Sequence, residues 1–123
     1  ELNCETDFVA KTEDFLSLAN DLAMQIAATN PLSIDTDSFP EEEMDKEKEI
    51  LRSQAKESGK PDNIIEKMVE GRIKKYLQEV VLYEQSFVKN PDKSVKTHIM
   101  EVSGKLGEGI SVGRFVRYEL GKE

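Results

Sequence analysis

Few side chains in this sequence could make or break a bond. His98 is the lone histidine and Cys4 the lone cysteine among 123 residues. A thiolate activated by an imidazole would need the two together, and nothing around either residue supports such a pair. His98 falls in a helical pattern, where a packed or surface histidine is expected. Cys4 reads as a small buried hydrophobe, and a single cysteine suits a reducing compartment. No serine stands in a nucleophile elbow, and zinc needs more Cys or His ligands than the chain holds. The acidic run Glu41-Glu42-Glu43-Met44-Asp45-Lys46-Glu47-Lys48-Glu49 lacks calcium-loop spacing and a turn-forming glycine, so it reads as a solvated helix face. Gly104-Lys105-Leu106-Gly107-Glu108-Gly109 has the look of a phosphate cradle. Such cradles lead from a strand into a helix; this one leads from a helix into a strand and lacks the Gly-Lys-Ser/Thr ending. It is a connecting turn. The expectation is no metal, no cofactor and no catalytic residue: not an enzyme.

What remains is the chemistry of recognition. Within Asn3-Cys4-Glu5-Thr6-Asp7-Phe8-Val9-Ala10, a carboxylate and a benzyl group occupy consecutive positions where a strand tail turns into a helix. Two readings stand side by side. Phe8 can be a wedge that buries itself in a partner, worth roughly 1.5–3 kcal/mol, with Asp7 as its hydrogen-bond acceptor. Alternatively the pair is internal, Phe8 stapling the following helix and Asp7 helping to cap it.

The elements that must hold these residues follow from periodicity. Glu1-Leu2-Asn3-Cys4 reads as the tail of a strand. Phe15, Leu18, Ala19, Leu22, Ala23, Ile26 and Ala27 recur at helical spacing and predict a helix over about Asp14 to Ala28, ended by Asn30-Pro31. Ser33 to Phe39 is a loop. Ser38-x-x-Glu41 fits a capping box and starts the next helix, about Phe39 to Ser58. Its Glu42–Lys46 and Glu49–Arg52 spacings each support an exposed helix by a few tenths of a kcal/mol. Gly59 ends it and Pro61 opens a further helix to about Leu77 or beyond. The short link makes an antiparallel helical hairpin over about 39–77. Its first helix has too little apolar surface to cover the second, so the hairpin is expected to protrude. Leu82 to Asp92 reads as irregular, with Phe87-Val88 as an apolar island, and Lys93 to Gly104 as a helix. Ile110, Val112, Val116, Tyr118 and Leu120 alternate as in a strand, with Phe115 on the opposite face. The predicted fold class is α+β: a small antiparallel sheet from the two terminal strands, packed helices and the protruding helical hairpin.

Composition narrows the partners. The chain is 37% hydrophobic and 34% charged with a net charge of −8, enough for one domain with its own core. The negative charge argues against nucleic acid or an anionic membrane as main partner. No apolar run approaches the roughly 20 residues of a membrane-spanning helix. A start at Glu1, inside a strand tail and without Met, leads to the expectation that the chain is cut from something longer.

Asn3-Cys4-Glu5-Thr6-Asp7-Phe8-Val9-Ala10-Lys11 closely resembles a signature of translation elongation factor Ts. Ser58-Gly59-Lys60-Pro61 with Ile65-Glu66-Lys67-Met68-Val69-Glu70-Gly71-Arg72 resembles that family's other signature. With Phe87-Val88 and Val112-Gly113-Arg114-Phe115-Val116-Arg117-Tyr118-Glu119, the resemblance covers nearly the whole chain. It implies a guanine-nucleotide exchange factor that releases GDP from elongation factor Tu, touching its GTPase domain and a second domain. By matching position Phe8 is the wedge between two GTPase-domain helices and Asp7 its polar companion. Thr6 and Val9 shape the corner, and Phe87 and Val88 lie on the surface for the second domain or pack internally. Lys67, Gly71 and Arg72 belong to the signature that fixes the hairpin. The resemblance further implies a core and dimerisation domain over 1–123 without the family's N-terminal helical module. It looks like the compact single-core form, with a homodimer joined partly through the sheet. The compartment implied is the bacterial cytoplasm, with plastid and mitochondrial matrix as the other two in which the family works. The competing reading is a structural dimerisation module that recruits another protein through its hairpin.

Overall fold

The computed structural model describes residues 1–122. Its centre is helix α2 (Glu13–Thr29); β1 (Leu2–Asn3) and the one-turn helix α1 (Asp7–Ala10) precede it. The Thr12 side chain caps the start of α2 by accepting from the Phe15 N–H. At the other end Asn30 takes a left-handed conformation, φ 48°, and its N–H donates to the Ile26 carbonyl at 3.0 Å. Asparagine tolerates that conformation better than most residues, and Pro31 follows.

The buried stripe Leu18, Leu22 and Ile26 of α2 packs with Leu82, Phe87, Val95 and Ile99 into the main core, and Leu2, Val112 and Phe115 lean on it. Val95 and Ile99 come from α5 (Val95–Leu106), which Ser94 caps and Gly107 ends at φ 72°. The strand β4 (Ser111–Val112) returns antiparallel to β1, Leu2 opposite Val112 and Asn3 opposite Ser111. The predicted sheet of terminal strands is therefore present, in minimal form.

Helices α3 (Glu41–Lys56) and α4 (Asp62–Val80) make the antiparallel hairpin. They carry a second core of Leu51, Ala55, Ile65, Val69 and Ile73, which shares no buried residue with the first. The two meet at the hairpin's base. There Phe39 packs edge-on against Tyr76, ring centres 5.9 Å apart. The chain leaving α4 is stitched to the loop after α2: Leu32 N–H to Val80 O at 2.7 Å, Leu82 N–H to Ser33 O at 2.9 Å, and Tyr83 N–H to Ile34 O at 3.0 Å. Val81 and Leu82 are completely buried there.

Four local expectations are corrected. The capping box does not form: α3 starts at Glu41 with Pro40 as its N-cap, while Ser38 exchanges hydrogen bonds with Asp35. Pro40 keeps Phe39 out of the helical region, and the Phe39 ring is buried instead. Arg52 bridges to Glu66 across the hairpin at 3.0 Å rather than to Glu49 on its own helix. Leu82–Asp92 is not irregular: a 3₁₀ turn (Leu82–Glu84) leads into β2 (Ser86–Phe87), which pairs with β3 (Asn90–Ser94) across a register irregularity. Finally, the alternating C-terminal stretch is a strand only at Ser111–Val112, and Val116, Tyr118 and Leu120 are exposed.

Candidate functional site

The sharpest surface feature is the corner between β1 and α2. Thr6, in extended conformation, is the N-cap of α1, and its hydroxyl accepts from the Val9 N–H at 3.4 Å. Successive helical side chains point about 100° apart, so the rotation of this short helix decides which of Val9 and Phe8 faces inward. Val9 does, at 8% exposure; Phe8 is left outside at 82%. The internal reading of the pair is thus corrected: Val9 anchors, Thr6 caps, and Phe8 is too exposed to staple the following helix. Asp7 sits exposed in the first turn of α1, where a carboxylate is favourable. Cys4 is half-buried rather than buried, and its thiol donates to the Thr6 carbonyl at 3.1 Å.

The turn after α5 meets this corner. One Glu108 carboxylate oxygen accepts from the Glu5 N–H at 3.0 Å and the Thr6 N–H at 2.9 Å. The other accepts from the Thr6 hydroxyl at 2.5 Å. In return the Glu5 carboxylate accepts from the Gly109 N–H at 3.0 Å. The Thr6 hydroxyl, with help from the Thr6 and Glu5 amides, holds the Glu108 carboxyl below the usual carboxylate range. Of the Gly-rich stretch expected as a connecting turn, Gly104–Leu106 is still helix and the turn begins at Gly107; the sequence carries no sign of the role of Glu108 in it.

Phe87 and Val88 lie elsewhere, Phe87 at the end of β2 and Val88 in the turn that leads to β3. Phe87 is buried at 3% exposure and stacks on His98, ring centres 4.2 Å apart at 15°. Val88 is half exposed, so of the two it alone is open to a partner. A buried amide network fixes it. Gln25 Oε1 accepts from the Val88 N–H at 2.8 Å, while its Nε2 donates to Gln85 Oε1 and to the Ser86 carbonyl, both at 3.0 Å. Gln85 Nε2 donates to the Glu79 carbonyl at 2.8 Å, near the end of α4. Sequence patterning missed this network because two glutamines carry no periodic signal.

His98 is packed, as expected. Its Nδ1 is buried and finds no partner among the described residues, and burial, with Lys93 nearby, pushes its pKa below the usual imidazole value. No group of three or more His, Cys, Asp or Glu among the described residues is close enough to hold a metal ion. No described helix is long and apolar enough to cross a membrane. What the corner offers is an exposed ring and carboxylate on a backbone fixed from two sides.

The family model described as elongation factor TS matches residues 17–122. An elongation factor Ts of Heliobacterium modesticaldum is 57% identical over 122 residues, covering 99% of this chain and 57% of that protein. That of Carboxydothermus hydrogenoformans is 56% identical over 122 residues, covering 99% and 56%. That of Syntrophus aciditrophicus is 51% identical over 123 residues, covering 100% and 61%. The chain thus spans less than two thirds of the curated relatives it matches. The Asp7-Phe8 corner lies ahead of the family-model match but inside the span aligned with the last of these relatives. On this identity and coverage, the chain belongs to the elongation factor Ts family.

Proposed function

We propose that the chain is the core of a guanine-nucleotide exchange factor that promotes GDP release from elongation factor Tu in translation. The observation that carries this reading is the 82% exposure of Phe8 on a corner whose neighbours are capped and buried. An apolar ring held outside its own fold is available to a partner at little ordering cost. In this reading Phe8 enters between two helices of the GTPase domain, Asp7 accompanies it, and Thr6 and Val9 hold the pair in position. The displaced helix disturbs the magnesium and phosphate contacts that hold the nucleotide.

Linkage does the rest. A factor that binds the empty GTPase more tightly than the GDP form must weaken GDP by the same ratio. The task needs no bond-making chemistry from this chain. Val88, above buried Phe87, is the accessible part of the second contact surface. The domain reading over 1–123, a homodimer joined partly through the β1–β4 sheet, and work in the bacterial cytoplasm belong to the same proposal. No observation on the hairpin favours recruitment of another protein through it.

Stopped-flow release of a fluorescent GDP analogue from elongation factor Tu, with and without the complete protein, tests the reading. Acceleration is expected; an unchanged release rate would refute it.

A further inference from the structure

We propose that Glu108 is a positioning residue, built into the turn after α5, that fixes the Asp7–Phe8 corner in its partner-ready conformation. This rests on the exchange reading of that corner. The argument starts with the backbone. A one-turn helix is not stable by itself, because its few hydrogen bonds do not repay the ordering of its residues. α1 has four residues, and its fixed shape must come from outside.

Glu108 supplies it from a hundred residues away in sequence. Its carboxylate takes both amide protons that enter the corner, those of Glu5 and Thr6, and the Thr6 hydroxyl proton as well. With its proton committed to Glu108, the Thr6 oxygen is left to accept from the Val9 N–H, which is the N-cap bond of α1. Glu108 therefore sets the Thr6 rotamer, and that rotamer sets the first turn of α1. The turn keeps Val9 inward and Phe8 outward.

The clamp is reciprocal, and both of its ends are tied down. Glu5 accepts from the Gly109 N–H, so Glu108 holds the backbone of Glu5 while Glu5 holds that of the residue after Glu108. Ser103 Oγ donates to the Glu108 carbonyl, and Gly107 closes α5 in the left-handed conformation. Lys105 in the last turn of α5 reaches Asp14 in the first turn of α2 at 3.1 Å. The end of α5 thus grips the corner on both sides of Phe8 and leaves the ring exposed.

The experiment compares Glu108→Ala and Glu108→Gln with the unsubstituted complete protein in two readouts. Amide hydrogen exchange followed by NMR should quicken at least tenfold for Glu5, Thr6 and Val9 in Glu108→Ala, with Leu22 and Ile99 unchanged. Glutamine keeps one acceptor oxygen and should restore part of the protection. Stimulated GDP release should slow by roughly three- to tenfold in Glu108→Ala, as pre-organisation of Phe8 is lost. In a Phe8→Ala background the same substitution should slow it no further, because the two act through one feature. Unchanged exchange at Glu5 and Thr6 would overturn the clamp. Loosened amides with full GDP release, or additive losses with Phe8→Ala, would overturn the positioning role. If the unsubstituted protein fails to release GDP, the exchange reading falls and this role with it, whatever the amides do.

Discussion

Replacing Phe8 by Ala separates surface from core at one position. The ring is 82% exposed, so about four-fifths of the roughly 1.5–3 kcal/mol available from burying it is unspent in the free protein. Burial in a partner would then contribute about 1.2–2.5 kcal/mol, or roughly an 8- to 70-fold loss of stimulated GDP release in Phe8→Ala. The remaining fifth, about 0.3–0.5 kcal/mol, is all the fold should lose, a Tm shift of only about 1–3 °C. Val9→Ala is the mirror control. Val9 is 8% exposed, and its truncation should cost about 1.5–3 kcal/mol of stability. Fluorescent-nucleotide kinetics and thermal unfolding on the same preparations read both quantities. If Phe8→Ala lowers Tm as much as Val9→Ala, or leaves release untouched, the argument from exposure is refuted.

Three further outcomes test the frame around the corner. His98 is neutral in the fold, and burial lowers its pKa. Below about pH 6.5 the unfolded chain takes up a proton that the folded chain resists. Stability should therefore fall as pH drops below about 6.5; His98→Phe should flatten that fall in a denaturant titration. Gln25→Leu leaves the Val88 N–H and the Ser86 carbonyl without their partner and should cost about 2–4 kcal/mol, a Tm lower by roughly 10 °C. Asn30→Ala should cost about 1 kcal/mol because of its left-handed backbone, φ 48°, whereas Asn30→Gly should stay within a few tenths; urea unfolding distinguishes the two.

Where the sequence was legible, a local rule decided the outcome. The buried stripe of α2 and the apolar positions of α4 follow the helical period, and they supply Leu18, Leu22 and Ile26 to one core and Ile65, Val69 and Ile73 to the other. Ser38 misled because a capping box presupposes a helical residue at its second position, and Phe39 precedes a proline. The hairpin of β2 and β3 was hidden for the opposite reason. Asn90-Pro91-Asp92-Lys93-Ser94 holds no strand former, and its pairing is imposed by the neighbours of Phe87 rather than by its own preference. The C-terminal alternation was real but over-read. Alternation records which side of a chain is apolar, while a strand needs a bonded neighbour. β4 pairs with Leu2–Asn3, and Gly113 and Arg114 still bond to Glu1, but among the described residues no strand pairs with Val116, Tyr118 or Leu120.

The candidate site divides in the same way. Asp7 and Phe8 were legible as an acid beside an aromatic, yet the sequence could not say which of Phe8 and Val9 faces inward. That choice depends on the rotation of a four-residue helix. Glu108 was invisible, because its meaning lies in a contact that only the folded chain creates.

The two separate cores have a consequence for how such a chain can change. Substitutions in Leu51, Ile65 or Val69 have no shared neighbour with those in Leu18, Leu82 or Ile99, so their costs should simply add. The stalk can be lengthened, repacked or worn down over generations without any compensating change beneath Phe8. The seam from Phe39 and Tyr76 to Val81 and Leu82, with Gln85 bonded to Glu79, obliges both halves to drift together.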